Sequence, residues 1–300
     1  MRCFHKDDWY GLAARLACAC VACLPRQIAL SFGVLLGTVA CRFASHQREL
    51  ARKHIALSLD LENTLAVNGI VRRCFQNMGK NVIEFMGFPH TSNAQMREMV
   101  TVQGRTHVDS ALAHGKGAII LTAHFGNWEL LAATLVVQVA PLQPIARRLR
   151  SRSLDTLVRA YRESVGYLSI DRDKATRDAL RCLKRNELLG ILADVDTSVD
   201  GVLVNFFGRP AYTPYSPIAI ALKTGAAILP TFIVRQPDDS HRVIIEPPLR
   251  IHKSGNRAQD FLINTQNFTE IIESYVRRYP EQWIWMHERW KTQPRDLLSA

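Results

Sequence analysis

The stretch that most constrains the fold is Gly117-Ala118-Ile119-Ile120-Leu121-Thr122-Ala123, an uncharged run that stops at His124-Phe125-Gly126-Asn127-Trp128-Glu129. A run of this length and composition reads as a buried strand. On a continuous helix, His124 and Glu129 would point about 140° apart around the axis. The chain must break between them if they are to meet. Gly126 permits the break through positive φ and Asn127 through an N-cap. The spacing therefore predicts a strand ending at His124 and a helix starting near Asn127. Glu129 then lies in the first helical turn, where the dipole favours its charge, and reaches back to the imidazole over the Phe-Gly-Asn turn. A carboxylate on one ring nitrogen fixes the tautomer and stabilises the imidazolium formed when the other nitrogen takes a proton. Spacing alone serves a second reading equally well, a histidine capping a strand end beside an ordinary first-turn glutamate.

The rest of the chain supplies layers around this strand. From Ser45 to Phe88 the pattern is helical, with Val71, Phe75, Met78, Val82 and Phe85 recurring at steps of three and four until Gly87-Phe88-Pro89. Short apolar runs at 118–123, 189–193, 202–207, 227–234 and 242–246 alternate with amphipathic stretches. That alternation predicts an α/β fold with a largely buried sheet. The segment from Asn205 through Phe206, Phe207, Gly208 and Arg209 to Thr213 reads as a strand end and turn entering a helix over Pro217–Lys223, with Thr213 as its cap and Gly225 at its end. A last helix runs from Gln259 to Arg278, before Pro280.

The segment Leu12 to Cys41 is the membrane candidate, but Arg15, Pro25 and Arg26 interrupt it. The charge-free piece from Gln27 to Cys41 is short against the roughly 20 residues of a perpendicular span. Two readings remain, a tilted span or a helical hairpin in the interface with snorkelling arginines. Asp7 and Asp8 argue against a cleaved signal peptide. Arg42, Arg48, Arg52 and Lys53 follow the apolar run and place the main domain on the cytoplasmic side. The expected organisation is an N-terminal membrane-associated segment over 1–45 and one domain over 46–300.

The formal net charge of +11 implies an anionic partner: nucleic acid, a phospholipid surface or an acidic substrate. Of the seven cysteines, Cys3, Cys18, Cys20, Cys23 and Cys41 crowd the N-terminal region, which is not a disulfide framework. Arg147, Arg148, Arg150, Arg152, Arg159 and Arg162 face one acid, Asp155, and suit phosphate or carboxylate recognition, or simply a solvated helix face. Few aromatic residues accompany them and no nucleic-acid motif does, so nucleic acid is not the expected partner. Asp194 and Asp196 form an Asp-x-Asp at the end of an apolar run, which reads as the metal site of a glycosyltransferase or as a structural anchor. Gly-x-Ser-x-Gly, P-loop and Gly-x-Gly-x-x-Gly motifs are missing. Trp283, Trp285 and Trp290 belong in a core or at a membrane interface.

Taken in order, His-Phe-Gly-Asn-Trp-Glu, Asp194-Val195-Asp196, Phe206-Phe207-Gly208-Arg209-Pro210, Lys223-Thr224-Gly225 and the segment from Tyr279 to Pro294 resemble the late lipid A acyltransferases, within the lysophospholipid acyltransferase superfamily. The resemblance implies a glycerolipid-acyltransferase-like αβα sandwich with a mixed sheet, attached to the cytoplasmic face of the inner membrane. It implies acyl transfer from acyl carrier protein, with acyl-CoA as the alternative donor, to a hydroxyl of an anionic lipid acceptor. No metal or other cofactor is expected. His124 and Glu129 match the family's catalytic pair. Arg162, Asp194, Arg147 and Asn127 become expected substrate-binding residues, although Ala146-Arg147-Arg148 departs from the family's usual Tyr-Arg-Pro. Phe206 and Phe207 are either core or the wall of an acyl tunnel. The alternatives are acylation of another membrane lipid, of lysophospholipid or phosphoinositide mannoside type, a metal-dependent glycosyltransferase, and a basic membrane-binding protein.

Overall fold

The computed structural model describes residues 6–172, 175–197 and 199–293; Cys3 and Pro294 of the sequence reading lie outside them. Four helices lead, α1 (Lys6–Ala22), α2 (Arg26–Phe43), α3 (Ser45–Ser58) and α4 (Thr64–Met86). The α/β body follows as α5 (Asn93–Met99), β1 (Val100–Gln103), α6 (Arg105–Leu112), β2 (Ala118–Thr122), α7 (Trp128–Gln138), β3 (Leu142–Ala146), α8 (Arg152–Ser164), β4 (Ile170–Asp171), α9 (Ala175–Lys184) and β5 (Leu188–Leu192). It is completed by β6 (Gly201–Phe206), β7 (Arg209–Pro214), α10 (Ser216–Thr224), β8 (Ala227–Arg235), β9 (His241–Ile245) and α11 (Arg257–Arg278).

Seven strands form one mixed sheet in the order β1-β9-β8-β2-β5-β3-β4, parallel except for the β8–β9 pair. β2 is central and buried along its whole length, as its continuous apolar composition requires. Its alternate residues feed a core on each face. Ile119 and Leu121 pack on the side of α9, α10 and α11, and Ile120 packs on the side of α7. Ligand sites in open parallel sheets gather outside the carboxyl ends of the strands, and β2 and β5 end side by side with Thr122 paired to Leu192. Two residues beyond that pair stand His124 and Asp194.

Several elements differ from expectation for identifiable reasons. The helical stretch from Ser45 is two helices, because Asn63 caps α4 by accepting from the Leu65 and Ala66 amides. The segment after Asn205 is a hairpin, not a turn into a helix. Phe207 and Gly208 both adopt positive φ, 56° and 70°, and close β6 onto β7 with Phe206 opposite Arg209. Thr213 therefore lies in β7, and Tyr215 precedes α10; Gly225 ends that helix at φ 72° as expected. β1, β3 and β4 were not anticipated. They are short, and β3 carries Pro144.

The N-terminal apolar region is two helices broken at Pro25. Among the described residues no single helix is long and apolar enough to cross a membrane, and α2 meets α3 at a bend of 92°. α2 lies against α4, where side chains on Gly33, Gly37 or Gly79 would collide with the opposing backbone. Arg48 donates to the carbonyls of Cys41 and Arg42, so one of the arginines following the apolar run serves as a cap for the end of α2. The described cysteines carry free thiols.

Candidate functional site

The turn after β2 is held from three directions. Gly126 has φ 57°, and an added Cβ would collide with the Ile233 carbonyl, so this position needs glycine on two counts. The tail runs antiparallel beside the turn, with Gly126 N–H donating to the Gln282 carbonyl (2.8 Å) and Ile284 N–H to the His124 carbonyl (3.2 Å). From α4, Asn81 donates to the Gly126 carbonyl at 2.6 Å. Asn127 then caps α7 through the Leu130 amide, as the sequence predicts.

The carboxylate on the imidazole is Asp194, not Glu129. His124 Nδ1 lies 2.8 Å from Asp194 Oδ1, and the His124 backbone N–H donates to Asp194 Oδ2 at 2.9 Å. Trp283 Nε1 adds a third bond to Oδ2 at 2.8 Å. The in-register ends of β2 and β5 bring these residues together across 70 positions of sequence. Asp194 is 1% exposed. Burial alone would raise its pKa, but the neighbouring His124 and the hydrogen bonds hold it at about 2. The carboxylate is therefore charged and holds Nδ1 of His124, and Nε2 has no hydrogen-bond partner among the described residues. Trp128 and His287 approach the imidazole edge-on, with ring centroids at 5.2 and 5.4 Å.

Glu129 faces the other way. Its carboxylate accepts from Arg162 Nε (3.0 Å) and Nη2 (2.5 Å) and from the Tyr167 hydroxyl (2.6 Å). Arg162 Nη1 donates to Ser169. Among the described residues no hydrogen bond joins Glu129 to His124, so the expected pairing across the turn is corrected. The first turn of α7 aims position 129 toward α8 rather than back over the Phe-Gly-Asn loop. Burial works against the Arg162 charge, but the bonds to Glu129 outweigh it and hold the guanidinium pKa above its ordinary value. Burial and the Glu129 charge push the Tyr167 hydroxyl well up, so it remains a donor.

Other expected site residues divide. Asn127 is 1% exposed and spends its amide on the Leu130 N–H and, at 2.8 Å, on Glu84. It is a framework residue, which corrects its reading as a substrate contact, as burial beneath His124 does for Asp194. Arg147 lines the cleft, and Arg148 pairs with Asp171 at 2.6 Å. Asp196 accepts from the Thr292 backbone and hydroxyl, so the two carboxylates of the Asp-x-Asp serve different partners. Phe206, Phe207, Trp283, Trp285 and Trp290 form one buried aromatic cluster, core rather than tunnel wall or membrane interface.

Glu84 was missed by sequence reasoning. Its buried carboxylate accepts from Arg26, Arg235 and Asn127 and lies 3.0 Å from His241 Nε2. Burial raises its pKa, but the charges of His241 and Arg235 more than reverse this and hold it far below the carboxylate range. The signal available was the polar stripe Asn77, Asn81 and Glu84 at helical spacing inside an otherwise amphipathic helix.

A cleft of about 1370 Å³ opens at His124. Its apolar arm lies between α7 and the sheet, lined by Ile120, Leu131, Leu135, Leu142 and Gly190. Arg147, Lys223, Lys253 and Arg257 stand among its polar residues, while Glu129, Arg162 and His287 flank the base. Such a cleft is larger than a small polar metabolite needs and suits a long aliphatic group with its reactive end at the imidazole.

Comparison with known proteins identifies the family. The family described as bacterial lipid A biosynthesis acyltransferase matches residues 4–292. A phosphatidylinositol mannoside acyltransferase of Mycobacterium tuberculosis (strain ATCC 25618 / H37Rv) is 30% identical over 201 residues, 65% of this chain and 64% of its own length. The chain thus spans just under two thirds of that relative. Two Escherichia coli (strain K12) proteins align more broadly at 23% identity. The lipid A biosynthesis palmitoleoyltransferase covers 90% of this chain and 87% of its own length. The lauroyltransferase covers 92% and 89%.

Proposed function

This chain belongs to the bacterial lipid A biosynthesis acyltransferase family, and on that premise we propose that it transfers a fatty acyl group from a carrier thioester to a hydroxyl of an anionic glycolipid at the membrane. The observation that carries the proposal is a charged, buried Asp194 on Nδ1 of a histidine that lines a largely apolar cleft and whose other nitrogen has no hydrogen-bond partner among the described residues. The acceptor hydroxyl gives its proton to His124 Nε2 as its oxygen attacks the thioester carbonyl, and Asp194 stabilises the resulting imidazolium. Collapse of the tetrahedral intermediate breaks the carbon–sulfur bond, and the proton passes to the departing thiolate. A positioned base of this kind contributes about 10²–10⁴-fold. Glu129 acts at one remove, holding the Arg162 guanidinium and the neutral Tyr167 hydroxyl in a network that lines the cleft near the base.

We take the donor to be acyl carrier protein, because a chain of net charge +11 suits an acidic protein donor as well as an acidic lipid surface. The acceptor we favour is a lipid A precursor. A mannoside-type acceptor is the second reading, supported by the 30% identity to the mycobacterial enzyme. Membrane attachment is ascribed to the exposed apolar side chains of α1 and α2, on the cytoplasmic face of the inner membrane.

The test is acyl transfer from labelled acyl carrier protein, with a lipid A precursor and a phosphatidylinositol mannoside offered side by side, with and without EDTA. Transfer to one acceptor that is lost in His124→Ala is expected. Full transfer by His124→Ala would exclude the mechanism. Abolition by EDTA would favour a metal-dependent reaction.

A further inference from the structure

A second imidazole stands beside the base, and the mechanism above does not use it. The tail reaches the site because residues 282–284 pair with the turn after β2, with Phe125 opposite Trp283. Beyond this pairing the chain is anchored again by Arg289, which is 1% exposed and donates to the Tyr212 carbonyl and the Thr213 hydroxyl. Between these two anchors His287 turns its ring into the cleft. The centroid lies 5.4 Å from that of His124 at an interplanar angle of 60°. Among the described residues neither ring nitrogen of His287 has a hydrogen-bond partner, although its ring lines the same cleft as Glu129 and Arg162.

We propose that His287 is a catalytic residue that donates an N–H from its neutral ring to the carbonyl oxygen of the acyl donor and to the oxyanion that forms there. The proposal rests on the acyl-transfer reading. Its geometry follows from that of the base. A carbonyl carbon attacked by a hydroxyl at His124 Nε2 lies within a few ångströms of that nitrogen. Trp128 and His287 both approach the His124 ring edge-on from the cleft lining, and of the two the imidazole carries ring nitrogens on both of its edges, so His287 can turn a donor toward a carbonyl held at the base. As the hydroxyl oxygen bonds to the carbonyl carbon, the π pair moves onto oxygen and its charge is met by the His287 N–H. When the carbon–sulfur bond breaks, that pair reforms the ester carbonyl and His287 is unchanged. An oxyanion donor acts best as a neutral imidazole that keeps its proton. His287 is exposed as a residue but its ring is partly enclosed by the cleft, and that partial desolvation first, and then the charge of the adjacent His124, push its pKa below the ordinary histidine value. A cationic His287 would also oppose protonation of the base beside it.

Two substitutions separate donation from shape. His287→Phe keeps a ring and removes the donor, whereas His287→Asn restores an N–H. With the full-length protein, labelled acyl carrier protein and the preferred acceptor, kcat is expected to fall about 10²–10³-fold in His287→Phe with KM near that of the wild type. His287→Asn should recover at least about tenfold of that loss. A turnover-independent reading comes from the thioester carbonyl stretch of ¹³C-labelled donor bound to the inactive His124→Ala protein, which should move to higher wavenumber when His287→Phe is added. An unimpaired His287→Phe in an active wild-type background would overturn the role of His287 alone. So would an unmoved carbonyl band, or a loss carried by KM in both variants. A wild-type protein that transfers acyl groups to neither acceptor would overturn the functional reading, and this role with it.

Discussion

At the scale of single residues, the site turns on which carboxylate meets the imidazole. The His124–Glu129 spacing was legible, and the turn it predicts is present. The partner was not, because it comes from a strand end 70 residues away and is chosen by parallel register rather than by local spacing. Asp194 was visible only as half of an Asp-x-Asp. The distinction predicts different failures. Asp194→Asn preserves the size of the side chain but turns an amide N–H₂ toward Nδ1. That favours the tautomer with its proton on Nε2, which can no longer accept one. We expect kcat to fall by on the order of 10³–10⁴-fold with little change in KM, measured by initial-rate kinetics. Glu129→Gln leaves that tautomer untouched and weakens the bidentate grip on Arg162. Its side chain is only partly buried, so we expect a loss of about 1–3 kcal/mol in unfolding free energy by denaturant titration, and a smaller fall in kcat. An equal kinetic loss in the two variants would return Glu129 to the imidazole.

At the scale of elements, α4 is the spine on which the site is mounted. Its polar stripe reaches the tail through Asn77, the Gly126 carbonyl through Asn81 and the α7 cap through Glu84, while Arg235 and His241 bring in β8 and β9. Helix periodicity placed Val71 and Phe75 on the buried face of α4, but Val82 is exposed and Ile83 buried in its stead, and periodicity carries no information on partners for a buried charge. The hairpin β6–β7 was hidden for a different reason, since a phenylalanine at positive φ is a conformation that composition does not advertise. Glu84→Gln leaves Arg235 buried without its counter-ion and should lower unfolding free energy by about 3–5 kcal/mol. The pH dependence follows from the same groups. The folded pKa values of Glu84 and Asp194 lie below their unfolded values, so their stabilisation is complete above about pH 4–5 and is lost as pH falls toward 2. His54, whose Nδ1 sits 3.1 Å from the Trp285 carbonyl, has its pKa lowered, chiefly by burial. The unfolded chain therefore takes up that proton first, and stability should begin to decline as pH falls below about 6.5. Denaturant midpoints at pH 7.5, 5.5 and 3.5 should fall in that order, and a flat profile from 7.5 to 5.5 would contradict the placement of His54.

At the scale of the whole molecule, α2 has two opposite tasks on its two faces. Leu30, Gly33 and Gly37 close against α4, whereas Ile28, Phe32, Leu35, Leu36, Val39 and Phe43 recur at helical spacing and stay exposed. The apolar content of this region was legible from composition. Its division into a packed face and a free face was not, because that depends on where α4 lies. An exposed apolar stripe of this length is costly in water and suits the boundary between headgroups and acyl chains. Each large apolar side chain moved from water to lipid contributes about 1.5–3 kcal/mol. Replacing Phe32 and Leu36 together by glutamate should therefore lower partitioning onto anionic vesicles by at least about 10²-fold, measured by co-sedimentation. Both side chains are exposed and lie outside the cleft lining, so turnover of acceptor dispersed in detergent micelles should stay within about threefold of wild type. Undiminished vesicle binding would move the attachment surface elsewhere, whereas an equal loss in micelles would mean that α2 sets the geometry of the turn through the Arg26–Glu84 contact at its first residue.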